Sequence, residues 1–155
     1  MIVKLVMLGK NKDSCIDNGI TDYLKRMGVY TDTEVKILKG AKIGENLTAA
    51  LKTEADQISN EIGKTDYLVL LDEKGKEFSS VGLANKLEKW REMNLKRLVF
   101  LVGGAYGFAD EIYKRSNEML SLSKMTLTHQ HARLILAEQL YRAFTIIHKH
   151  PYHHV

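Results

Sequence analysis

Two stretches of this chain, residues 67–72 (YLVLLD) and Arg97–Val102 (RLVFLV), are apolar at consecutive positions rather than alternate ones. A strand wetted on one face alternates, whereas a strand with an unbroken apolar run must be covered on both faces. That requirement points to a mostly parallel sheet with helices on each side. The rest of the chain supplies the other parts. Ile2–Leu8 (IVKLVML) reads as a first strand ended by Gly9, and residues 34–38 (EVKIL) as a short alternating one. Residues 13–27 carry helical spacing behind Asp13 as N-cap, and residues 46–63 repeat Leu47, Leu51, Ala55 and Ile58 before a glycine stop. A turn around Gly75 with a serine cap precedes a helix over residues 81–91. A further helix starts near residues 109–110, and a long one spans about residues 131–148, ending before Pro151. Strands and helices alternate throughout, so the expected fold is α/β, with ligands at the carboxyl ends of the strands.

At 155 residues and 45% hydrophobic, the chain is long enough to bury a core as a single domain over 1–155. No run approaches the roughly 20 apolar residues of a membrane span, and the opening MIVKLVMLGKNKD has no secretory cleavage pattern. A lone cysteine, Cys15, excludes an internal disulfide framework and is expected as a small buried residue. A soluble cytoplasmic protein is the expectation. The net charge of +4 is spread without blocks, compatible with a nucleic-acid partner but not demanding one.

Four features carry candidate chemistry. The strand RLVFLV breaks into Gly103, Gly104 and Gly107, a G-G-x-x-G that is neither the dinucleotide G-x-G-x-x-G nor a P-loop, since no Gly-Lys-Ser/Thr follows. It marks either close approach of a flat or bulky ligand to the backbone or a tight strand-to-helix turn. In LSLSKMTLTH (residues 120–129), hydroxyl and apolar residues alternate, as in an irregular loop held open by side-chain caps or in a half-buried strand. The last helix carries two apolar stripes, Leu134/Ala137/Tyr141/Phe144 and Leu136/Leu140/Ala143/Ile147, which call for two neighbours, a second copy of the chain among the candidates. Glu138 and Arg142 on it form an i,i+4 pair, at the surface or at a site. All six histidines follow residue 128, but His129 and His131 are two apart and no H-E-x-x-H or paired cysteine accompanies them, so no metal is expected. Pro151 stiffens the exit into Tyr152 and His153, which are either presented at a defined place or frayed.

Taken in order and spacing, LVGGAYGF, LSLSKMTLTHQ, EQLYRAF and the terminal PYHH resemble the ribosomal RNA large-subunit methyltransferase H family, with KLVMLGK and LLDEKGKEFSS matching as well. The resemblance covers essentially the whole chain. It implies a SPOUT-class α/β protein with a C-terminal trefoil knot, using S-adenosyl-L-methionine to methylate N3 of a pseudouridine in 23S rRNA of assembled ribosomes, as a homodimer. Carried over by position, it implies cofactor contacts at Leu71, Gly103 and the run Leu122, Ser123, Lys124, Met125, Thr126 and Leu127, made by backbone groups rather than a phosphate cradle. His153 is the candidate for proton handling and Tyr152 for stacking the target base. Arg142, held by Glu138, is the candidate for orienting the tail or contacting RNA phosphate. Thr128 and Ala105 depart from the family pattern, which often has proline at the first and proline or serine at the second.

Overall fold

The computed structural model describes residues 1–42, 44 and 46–154; Ile43, Glu45 and Val155, all within the predicted domain 1–155, lie outside the described residues. Five strands, β1 (Ile2–Leu8), β2 (Asp32–Leu38), β3 (Tyr67–Glu77), β4 (Arg97–Val102) and β5 (Glu118–Ser121), form one sheet in the order β2-β1-β4-β3-β5. Every pairing is parallel. Five helices connect or follow them: α1 (Ser14–Met27), α2 (Leu47–Glu61), α3 (Ser80–Glu92), α4 (Asp110–Arg115) and α5 (His129–Ile147).

The apolar runs are divided by the period of two. On β4, Leu98, Phe100 and Val102 face the layer of α1, α3 and α5, while Val99 and Leu101 face α2 and α4. All five side chains are buried, each contributing roughly 1.5–3 kcal/mol relative to exposure. The two stripes of α5 find both neighbours within the chain, because the helix packs between α1 and α3 over the sheet. A Cβ at Gly19 of α1 would come within 2.8 Å of Leu134 Cδ1, so any side chain there would make that leucine shift. The stripes therefore do not by themselves require a second copy.

Three local expectations change. Residues 73–77 continue β3 instead of turning, because Gly75 lets the β5 backbone pass directly over it: a Cβ there would be 2.5 Å from the carbonyl carbon of Leu120. The register slips between Leu71 and Lys76, so β3 meets β5 twice. LSLSKMTLTH is strand only as far as Ser121 and irregular beyond it. Cys15 is exposed rather than buried, since α1 turns Ile16, Ile20, Leu24 and Met27 inward and position 15 lies about 100° away from 16. Among the described residues no helix is long and apolar enough to cross a membrane.

Candidate active site

Parallel strands deliver their loops to one edge, and here the loops after β4 and β5 and the middle of β3 converge on it. They wall a cleft of about 840 Å³. One wall is the β3 segment Leu71 to Lys74, the second is Val102 to Phe108, and the third runs from Ser121 through the start of α5. Leu71, Gly103, Leu122, Ser123, Met125, Thr126 and Leu127, all expected at a cofactor, line this one cleft. Lys124 belongs to the same strap but is exposed and does not line it.

The glycines do different work. A Cβ at Gly103 would stand 2.8 Å from the Phe108 ring, so this glycine admits the aromatic that closes the loop from below. Gly107 adopts φ +72°, the left-handed region that favours glycine, and turns the chain into α4. A Cβ at Gly104 would meet nothing within 4 Å, and the residue is exposed at the cleft. That open space beside the backbone is what a planar ligand requires, and the apolar Leu71, Val102, Leu122 and Leu127 suit an aromatic ring system. The strap is held open by its own hydroxyls: Ser121 Oγ donates to the Ser123 carbonyl, and Ser123 Oγ accepts from Met125 N–H.

Several cleft residues escaped the sequence reading. The Tyr113 hydroxyl donates to Asp72 Oδ2 at 2.7 Å, joining α4 to β3 across the cleft. Burial, with the bonded and charged Asp72 carboxylate added, pushes the Tyr113 phenol up to about 12. Asp72 and Glu73, with Lys74 beside them, leave this wall one net negative charge, compatible with a cationic ligand. His129, first in α5, is held below the ordinary imidazole range by burial and then by the charges of Arg133 and Lys12. A tyrosine in a six-residue helix and an aspartate at mid-strand have no sequence signature of their own. Their meeting follows from the pairing of β3 beside β4.

The tail candidates form a second cluster. Glu138 Oε1 accepts from Arg142 Nε at 3.0 Å and Nη2 at 2.5 Å, and from the Tyr152 hydroxyl at 3.1 Å. Arg142 lies 4.8 Å over the Tyr152 ring, which also packs on Tyr141, and its Nη1 is 3.3 Å from His153 Nδ1. Burial, followed by Tyr23 and Glu138, raises the Tyr152 phenol. Lys149, at φ 54°, reverses the chain so that the tail returns along α5 rather than fraying. The four residues are thus brought together, but none lines the cleft of its own chain. On α5, Glu138 and Arg142 lie six and ten residues beyond Ala132 of the cleft wall, about 9 and 15 Å along the helix axis. Among the described residues no group of three His, Cys, Asp or Glu side chains is placed to hold a metal ion.

An open parallel sheet with a ligand cleft at its glycine-loop edge, and no phosphate loop, agrees with the family comparison. Residues 1–153 match the model described as predicted SPOUT methyltransferase, and the chain belongs to that class. The proteins named ribosomal RNA large subunit methyltransferase H from Parabacteroides distasonis and Flavobacterium psychrophilum are 44% and 43% identical over 156 residues, with 99% of each chain covered. Within the SPOUT methyltransferases, the chain is a member of the ribosomal RNA large subunit methyltransferase H family. The solved structure of a probable methylase family protein from Haemophilus influenzae shares the fold, with a TM-score of 0.60 at 14% identity, over 99% of this chain and 70% of that one.

Proposed function

We propose that the chain, acting as one domain over 1–155, methylates N3 of a pseudouridine in 23S rRNA of the assembled ribosome, with S-adenosyl-L-methionine as donor, as a cytoplasmic homodimer. The observation that carries this reading is the single cleft that gathers Leu71, Gly103 and residues 122–127 beside the open backbone of Gly104. The names of the full-length relatives support the rRNA substrate. Family membership supports a C-terminal trefoil knot, with the 103–108 and 121–128 segments as its cofactor loops.

The cofactor supplies an electrophilic methyl group on a sulfonium. The apolar wall would hold the adenosine, residues 122–127 would supply main-chain groups to it, and Asp72 and Glu73 would offset positive charge. Alignment of donor and acceptor supplies much of the rate, on the order of 7–11 kcal/mol in well-oriented systems. Methylation forms an N3–carbon bond, breaks the sulfur–carbon bond and releases the N3 proton, which needs an acceptor.

His153 is that acceptor in this reading. Its Nδ1 faces Arg142 in the free chain, and Arg142 also covers the Tyr152 ring. Docking of RNA draws Arg142 to a phosphate, which frees Nδ1 for the proton and the ring for the target base. Glu138 keeps the arginine in reach. Because none of the cluster lines the cleft of its own chain, a symmetric dimer is the arrangement that lets one tail serve the other copy's cleft.

The test is methyl transfer from labelled S-adenosyl-L-methionine to ribosomes lacking the modification, beside free large subunits and naked 23S rRNA. Label on a pseudouridine only in assembled ribosomes is the expected result. No label on any of the three, with the cofactor bound, would overturn the substrate. His153→Ala with unchanged turnover would remove the proton role.

A further inference from the structure

We infer that the loops following β1 and β2, residues 9–13 and 39–42, form a rigid basic rim that grips RNA backbone phosphates beside the cleft. This rests on the reading of the substrate as RNA and adds where the backbone is held. Lys10, Lys12, Lys39 and Lys42 are all exposed, and among the described residues none of them makes an ion pair. The opposite edge of the sheet mixes paired and open cations. There Lys4 and Lys36 meet Glu61, Arg97 meets Asp66 and Lys86 meets Glu118. Lys64, Lys89, Lys96 and Lys114 on that edge are also exposed and in no ion pair among the described residues, so the rim is set apart by its place beside the cleft and by its fixed frame rather than by open charge alone.

The rim is held on three sides. β1 and β2 run in register to Leu8 and Leu38, and the Gly9 N–H donates to the Leu38 carbonyl at 2.8 Å. A Cβ at Gly40 would lie 3.4 Å from Gly9 N, so the two loops touch. Ala41 N–H donates to Glu54 Oε1 at 3.0 Å, which ties the second loop to α2. On the cleft side, Gln130 Oε1 accepts from the N–H groups of Lys12 at 2.9 Å and Asp13 at 3.3 Å, and Gln130 itself lines the cleft. Arg133 donates to the Leu8 and Gly9 carbonyls and to Asn11 Oδ1. The one carboxylate in 9–13, Asp13, is committed to capping α1. Lysines on a fixed frame lose little loop entropy when they meet a ligand. A phosphate backbone is the matching partner, because several like point charges in a row suit a polyanion better than a single small anion.

The experiment measures binding of the full chain to ribosomes lacking the modification, across a salt series. It compares the wild type, K10Q/K12Q/K39Q/K42Q, and a charge-matched control from the opposite edge, K64Q/K89Q/K96Q/K114Q. Every lysine that no longer neutralises a phosphate lowers the slope of log Kd against log salt by about 0.7–0.9, so the rim variant should fall by roughly 3 and bind at least about tenfold more weakly near 0.15 M salt. The control should keep the wild-type slope. Affinity for S-adenosyl-L-methionine, read by calorimetry, should be the same in all three, which also reports folding. A rim variant with the wild-type slope, or a control whose slope falls as far, overturns the rim while leaving the methyltransferase reading intact. A wild-type protein that neither binds ribosomes nor labels rRNA overturns both.

Discussion

Nη1 of Arg133 stands 2.9 Å from the carbonyl oxygen of Gly9, joining positions 124 residues apart. Its second amino group reaches the Leu8 carbonyl, and the residue is 1% exposed. A guanidinium buried this far loses its water, and burial holds its pKa below the usual value. Its two amino groups pair with the Leu8 and Gly9 carbonyls and Asn11 Oδ1 at the end of β1, while its Nε is buried without a partner among the described residues. Arg133→Ala should cost about 3 kcal/mol by removing these three hydrogen bonds and opening a cavity behind β1. Urea unfolding is the measurement, and a loss below about 1 kcal/mol would contradict it.

Gly104→Leu separates the cleft from the fold. The position lacks a positive φ and has open space around it, so a side chain is accepted there without strain. It would instead occupy the room assigned to the cofactor. Calorimetry should show S-adenosyl-L-methionine binding weakened at least tenfold, about 1.4 kcal/mol, with the thermal midpoint little changed. Unchanged affinity would place the ligand elsewhere.

Asp66 sets an acid limit on stability. Its carboxyl is 4% exposed; burial pushes its pKa up, but the two-point contact with Arg97 at 2.7 and 2.8 Å and the Gly63 N–H outweigh it and leave it below the usual range. A lowered folded pKa gives stability that is present above the unfolded value near 3.9 and is lost as pH falls through the folded one. Asp66→Asn should lose about 2 kcal/mol at pH 7, discounted from a fully buried pair because Arg97 is partly exposed. Its stability should then fall less steeply than the wild type below pH 4 in parallel urea titrations. Equal slopes would assign the acid limb to other carboxylates.

Glu138 holds both the cation and the phenol of the tail cluster, so Glu138→Ala should release residues 150–154 together. Hydrogen exchange there should accelerate, and methyl transfer should fall about a hundredfold, the usual cost of misplacing a reacting group by an ångström or so. Cofactor affinity should hold, since Glu138 does not line the cleft. Retained turnover with a loosened tail would separate the cluster from the chemistry.

The elements were legible wherever local chemistry decides. Consecutive apolar residues in RLVFLV demand two covered faces, and Asp13 and Ser79 each cap the helix they precede through a side-chain oxygen. Residues 122–127 were legible as a candidate strap through their motif, and all of them but Lys124 line one cleft. The extension of β3 was not, because Lys74, Gly75 and Lys76 resemble a turn until β5 lies on them. The exposure of Cys15 turned on helix phase, one residue away from the buried stripe. Tyr113 facing Asp72 could not be read, since nothing in either segment specifies the other.

Sequence by itself determined the α/β alternation, the helix caps, the glycines of the cleft loop and the family, because each depends on side chains within a few positions or on a motif in order. Tertiary structure alone decided the strand order β2-β1-β4-β3-β5, the joining of Asp72 to Tyr113 and Gly9 to Arg133, and the separation of the tail cluster from its own cleft. The physical reason is distance along the chain. Propensity and periodicity act over one or two turns, whereas the cleft is made by parallel strands whose neighbours are chosen by packing both faces of the whole sheet.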